Sequence, residues 1–235
     1  MFERLKEVEH YSRYPCMKPW IGEHYHSGAH KRLLIIGESH FLPETATIHL
    51  DPDAWYSGSQ SSLTDDERKW ISTFGIIECN IDKNFPRKSF SIYRNLGKAI
   101  NACSLQYSRP SQIFNHFAYY NFFQRPAENT GGSIKVKPLD REVSISVFES
   151  LLELLQPELI IFTSRLAGNV GKVIAERAGI PVLITPHPGC AWWGRYSKKY
   201  GGRARDLVPK FLNENAWGDF HDVNIKSDYA PLDNV

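Results

Sequence analysis

The sequence has no paired cysteines. Its four, Cys16, Cys79, Cys103 and Cys190, lie far apart and none forms a C-x-x-C pair. A disulfide framework is thereby excluded, and so is a zinc or iron–sulfur site built on cysteine alone. Charge of one sign is not in excess either. The formal net charge is only +2, so no global field demands a nucleic-acid partner. No apolar run approaches the ~18 residues of a membrane span. The start, Met1-Phe2-Glu3-Arg4-Leu5-Lys6, lacks the apolar segment of a secretory signal. A cytoplasmic chain with no membrane partner is expected. Repeats and low-complexity tracts are missing too.

What is present is a core. Of 235 residues, 42% are hydrophobic and 13% aromatic, which suits one large domain over 1–235. Leu33-Leu34-Ile35-Ile36 is a continuous apolar run stopping at Gly37, and reads as a strand buried on both faces. Residues 42–90 give no single element, only scattered prolines and one capping-box signal, Thr64 with Glu67. Residues 92–100 are amphipathic. Residues 113–123 read as an aromatic-rich second strand, followed by a loop at Arg125-Pro126 and Gly131-Gly132. A strong amphipathic helix spans 142–155. Leu159-Ile160-Ile161-Phe162 is a third strand, and Ser164 caps a helix that ends before Gly179. Val182-Leu183-Ile184 is a fourth, and the C-terminal tail reads as irregular. This order implies an α/β fold of three layers, α/β/α, around a central four-stranded, mostly parallel sheet.

Open parallel sheets bind ligands beyond the carboxyl ends of their strands. The strands here deliver Gly37-Glu38-Ser39-His40, Asn121, Thr163-Ser164 and Thr185-Pro186-His187-Pro188-Gly189. Glu38 can act as a general base, stabilise a cation, or cap a turn. Asn121 offers a donor beside an acceptor, which suits a nucleobase edge, or is a turn residue. His187 can donate to a developing anion, or form a rigid corner between prolines. His40 is either a site residue or a structural hydrogen-bond partner. His24, His26 and His30 lie close together, yet no carboxylate or cysteine pattern completes a ligand set. They read as a solvated loop, and no metal or other cofactor is expected. Residues 191–205 hold five cations, no acid and four aromatic rings. Trp192, Trp193, Arg195, Lys198, Lys199 and Arg203 therefore fit phosphate contacts combined with base stacking, unless the tryptophans pack on the domain.

Taken together, these segments resemble the uracil-DNA glycosylase superfamily, and most nearly its family-four branch. Gly37-Glu38-Ser39-His40-Phe41 stands where that branch has Gly-Glu-Ala-Pro-Gly. Asn121-Phe122-Phe123-Gln124-Arg125-Pro126 is similar to its Asn-Val-Val-Lys-Cys-Arg-Pro-Pro, and Thr185-Pro186-His187-Pro188 matches its Thr-x-His-Pro. The similarity covers about 31–41 and 85–200. It implies a hydrolase that flips a base out of DNA, single- or double-stranded, and cleaves its N-glycosidic bond. Glu38, Ser39, His40 and His187 would then be catalytic, and Asn121 would pair with the base. Phe90, in Ser89-Phe90-Ser91, or alternatively Phe41, would stack on it. The branch's four iron–sulfur cysteines have no counterpart here, its Pro-Gly is replaced by His40-Phe41, and residues 42–89 are an insertion relative to it. Two other readings stand beside this one: a non-catalytic nucleic-acid or nucleotide-binding module, and a hydrolase or transferase of a small molecule. No obligate protein partner is expected.

Overall fold

The computed structural model describes residues 3–103 and 107–218. The apolar runs become the middle of a five-stranded sheet: β1 (Trp20–Ile21), β2 (Leu33–Phe41), β3 (Phe117–Ala127), β4 (Leu159–Phe162) and β5 (Val182–Ile184). Their order is β1-β3-β2-β4-β5. All pairings are parallel except β1 on β3. The helices are α1 (Glu9–Arg13), α2 (Pro52–Ser57), α3 (Asp65–Trp70), α4 (Thr73–Glu78), α5 (Ser91–Asn101), α6 (Pro138–Leu155), α7 (Arg165–Arg177) and α8 (Ala204–Glu214). None is long and apolar enough to cross a membrane among the described residues.

Strand periodicity assigns the two faces. Leu34, Ile36, Tyr120, Phe122, Ile160 and Phe162 join the core under α6 and α7. Leu33, Ile35, Phe117, Tyr119, Leu159 and Ile161 join the core under α5 and α8. Burial on both sides explains why β2 and β4 read as unbroken apolar runs. Helix signals also match their outcome. Thr64 and Glu67 form the capping box of α3. Ser164 caps α7 by accepting from the Ala167 amide at 3.3 Å, and Gly179 follows that helix at φ 72°.

Four expectations need correction. The sheet has five strands rather than four. Strand β1 is two residues long, too short for any periodicity, and is fixed by its ladder to Tyr119 and Ala118. Strand β2 does not stop at Gly37. It runs to Phe41, because long β3 offers it partners at Asn121, Phe123 and Ala127. Strand β3 itself begins four residues later than 113, after a 3-10 turn, and continues through Arg125-Pro126. Pro126 is tolerated where the register slips between Ser39 and Phe41. Finally, the tail forms α8 before 219–235, which lie outside the described residues.

The insertion is bound into the fold by buried polar contacts. Arg125 is fully buried and makes a two-pronged ion pair with Asp140, with both contacts at 2.8 Å. Its third nitrogen donates to the His49 carbonyl at 2.8 Å. Tyr56 donates to Asp140 at 3.0 Å, and Trp55 donates to the Gln124 carbonyl at 2.9 Å. One guanidinium thereby joins the insertion, β3 and the start of α6.

Candidate active site

The chain passes from β2 to β3 on one side, then crosses to β4 on the other. This reversal opens a crevice at the carboxyl ends of β2 and β4, the usual ligand position of doubly wound sheets. Glu38 and Ser164 leave the sheet there, and Ser164 Oγ donates to Glu38 Oε2 at 2.6 Å. The Ser164 hydroxyl is thereby occupied twice, as cap and as donor, and it fixes one carboxylate oxygen. A cleft of about 550 Å³ lies over this point. Its lining includes Glu38, Ser164, Arg165, Asn169, His187 and Lys199.

His187 arrives from β5. The Thr185 amide closes the sheet on the Phe162 carbonyl at 2.8 Å. Pro186 and Pro188 then restrict the backbone, and Asn95 of α5 donates to the Pro188 carbonyl at 2.8 Å. The Gly189 amide donates to His187 Nδ1 at 3.2 Å. A nitrogen that accepts carries no proton, so the neutral ring bears its proton on Nε2 and is a donor there. Burial lowers the His187 pKa below the ordinary value, and the Glu38 charge partly offsets this. The ring is therefore neutral at pH 7.

A second polar cluster forms on the β2–β3 pair, and none of its residues is among those lining the cleft. Asn121 pairs in register with Gly37. Its Nδ2 is 3.1 Å from His40 Nε2, which is also 3.1 Å from Thr73 Oγ1. Tyr119 donates to Asn121 Oδ1 at 3.4 Å. His40 is buried with no charged partner, and desolvation brings its pKa down to about 4. Gly37 is required beneath this cluster. A Cβ there would meet Asn121 Oδ1 at 2.1 Å and the Tyr119 hydroxyl at 2.6 Å. Gly37→Ala should displace the amide and destabilise the fold by about 1–3 kcal/mol, measurable as a lower urea midpoint. A midpoint equal to wild type would show the amide free to move.

The remaining sequence-nominated residues separate. Trp192 and Lys199 line the cleft. Trp192 is 55% exposed, whereas Trp193 is 5% exposed and belongs to the core with Ala204 and Val208. The expected nucleic-acid contact by Trp193 is thus replaced by packing, because the 3-10 turn Ala191–Trp193 sends adjacent side chains apart. Arg195, Lys198 and Arg203 are exposed. Lys198 and Lys199 occupy a tight turn closed by the Ser197–Gly202 bridge, with Gly201 at φ 70°. Phe90 packs edge-on to Tyr93 at 6.2 Å, which in turn meets Tyr119 at 5.7 Å. Phe90 therefore lies on the Asn121 side of the sheet. Phe41 instead packs edge-on to Trp70 at 5.8 Å. Ser39 is half-buried opposite Phe123 in the ladder.

His24 and His26 are exposed, as a solvated loop requires. His30 is not: it is buried, and its Nε2 is 3.0 Å from His116 Nδ1. No group of three or more His, Cys, Asp or Glu converges as a metal site among the described residues. Sequence reasoning missed Arg165, Asn169 and Thr73. Arg165 and Asn169 are four apart on α7, which puts them on one face, but their residue types carry no marker. Compared with known proteins, the chain matches no family model and no curated sequence. Fold and cleft define a doubly wound α/β protein with a strand-end site, and its chemistry must be argued from that geometry.

Proposed function

We propose that this protein is a hydrolase of the uracil-DNA glycosylase type, which takes a flipped base from a DNA strand and cleaves its N-glycosidic bond. The observation that carries this reading is the order of polar groups at the sheet's edge. Across β3, β2, β4 and β5 stand Asn121, Glu38, Ser164 and His187. In the reaction, the C1′–N bond breaks and its electron pair leaves with the base. The His187 Nε2–H donates to the anion that develops on the base. Water adds to the electron-poor sugar carbon and yields its proton to Glu38, whose position Ser164 holds. Lys199, Arg165 and the amides at the α7 N-terminus supply positive potential for flanking phosphates.

Exposed Trp192 and the basic turn at 197–202 favour a polymer over a small metabolite. A wall carrying the Trp192 ring and Lys199, with exposed Lys198 next in the turn, suits a strand that continues past the cleft. Incubation with a panel of oligonucleotides containing uracil, hypoxanthine and other altered bases tests the proposal. Free base should appear, leaving alkali-labile sites. His187→Ala and Glu38→Gln should each slow release by about 100-fold or more. If folded protein binds the oligonucleotides and releases no base from any of them, the chain is a binding module and the hydrolase reading is wrong.

A further inference from the structure

The Asn121 network has a property that the catalytic reading leaves unused: its two ends are different. An asparagine side chain is nearly symmetric in shape, and turning it over exchanges its N–H donors with its carbonyl lone pairs. Only its neighbours can decide which way round it stands. Here one neighbour is the Tyr119 hydroxyl, at Oδ1, and the other is His40 Nε2, at Nδ2. Tyr119 is 3% exposed, and burial raises its phenol pKa well above the ordinary value, so it keeps its proton and stays a donor. Two groups able to donate, Asn121 Nδ2 and the Thr73 hydroxyl, both stand 3.1 Å from His40 Nε2. That arrangement calls for a bare Nε2 and a proton on Nδ1. The polarity then runs in one sense: the tyrosine gives to the amide oxygen, and the amide nitrogen and the threonine give to the imidazole.

We propose that His40 is a positioning residue, held by Thr73 of the insertion, that fixes the Asn121 amide in one orientation and thereby sets which base edge the site accepts. The proposal rests on Asn121 reading the base. His40, Thr73 and Tyr119 are buried at 6%, 0% and 3% exposure, while Asn121 is only half-buried. One N–H and one oxygen lone pair of Asn121 are committed to the protein. The other N–H and lone pair remain for a ligand that offers a donor to Oδ1 and an acceptor to Nδ2. A lactam edge, an N–H next to a carbonyl, supplies that pair, as in uracil and hypoxanthine. Cytosine and adenine present the reverse pattern, a ring nitrogen acceptor beside an amino donor. Their rejection follows from an amide that cannot turn over, because a mismatched pair leaves buried groups unbonded. Thr73 gives the 42–89 insertion a part in selectivity, and His40 acts without touching the reacting atoms.

Free bases titrated into 15N-labelled full-length protein test this without any need for turnover. Uracil should shift the Asn121 side-chain NH2 signals at concentrations about tenfold or more below those at which cytosine does. The His40 nitrogen signals should report a bare Nε2. His40→Leu should abolish the preference, while His40→Gln, whose amide oxygen still accepts from Asn121, should restore most of it. Thr73→Val is the milder variant should His40→Leu fail to fold, and it should weaken the preference in the same direction. A proton on Nε2, equal response to both bases in wild type, no response of Asn121 to either, or a folded His40→Leu or Thr73→Val protein with unchanged preference would each overturn the proposal. Absence of base release from the oligonucleotide panel bears on the hydrolase reading alone.

Discussion

Acidification from pH 7 to pH 4.5 should remove several kcal/mol of folding stability through buried histidines. Among the buried histidines, His10, His40 and His116 are held neutral far below the ordinary range. Desolvation, with a smaller contribution from Arg13, brings His10 down to about 3. Desolvation alone brings His40 to about 4. Desolvation, with His30 and His24 adding to it, brings His116 to about 3. All three titrate near 6.5 in the unfolded chain. The unfolded state therefore binds more protons between pH 6.5 and pH 4. The contribution of each is present in full above pH 6.5 and is lost as pH falls through that window. Each is worth roughly 2–3 kcal/mol at pH 4.5, a sum comparable with the ~5–15 kcal/mol stability of a typical domain. Urea midpoints at pH 7, 6, 5 and 4.5 measure the slope, and a midpoint independent of pH would contradict it. His10 offers a control. Its ring stacks on Tyr14 at 5.2 Å, and its buried Nε2 has no partner among the described residues. His10→Phe should keep the stack, raise stability and flatten the slope by about one proton.

Arg125→Met should cost about 3–5 kcal/mol, the usual penalty for breaking a buried ion pair from one side. The guanidinium and the Asp140 carboxyl are both fully buried and meet at 2.8 Å. The carboxyl would keep its bonds from Tyr56 at 3.0 Å and the Lys137 amide at 2.8 Å, but it would lose its only buried cation contact among the described residues. The His49 carbonyl would lose its donor at the same moment. Arg125→Met with Asp140→Leu should recover part of the loss, because the buried Asp140 charge is removed with its partner, while Glu128, 2.9 Å from the same guanidinium, still loses its cation. Thermal melting of both variants decides this. A single variant as stable as wild type would show that the insertion is held without the Arg125 ion pair, by its apolar contacts and the Trp55–Gln124 hydrogen bond.

Much of the local structure was legible because periodicity reports burial. The runs at 33–36 and 159–162 are apolar at every position, and both faces of the sheet are covered. The Thr64–Glu67 box and the Ser164 cap were readable because capping is a contact within four residues. The insertion was opaque for the converse reason. Trp55, Ile71 and Phe85 are fully buried, yet Trp55 and Phe85 take partners far along the chain, the Gln124 carbonyl for the indole and Phe114 for the phenyl ring. Helices α2, α3 and α4 are six residues each, too short for a face to repeat.

The site divides in the same way. By itself the sequence determined which polar residues follow the apolar strands: Glu38 after β2's apolar run, Ser164 after β4, and His187 between two prolines after β5. Residue type and chain position suffice for that. Tertiary structure alone decided which of them meet. Strand order brought Glu38 to Ser164 at the crossover, and the extension of β2 to Phe41 carried His40 to Asn121 and Thr73. Two adjacent tryptophans were separated, Trp193 into the core and Trp192 onto the cleft wall. The tryptophans part at a local 3-10 turn that packs Trp193 on α8, while the other two cases share one physical reason. Hydrophobic pattern fixes the face on which a residue lies, whereas register and crossover are set by pairings between segments up to a hundred residues or more apart.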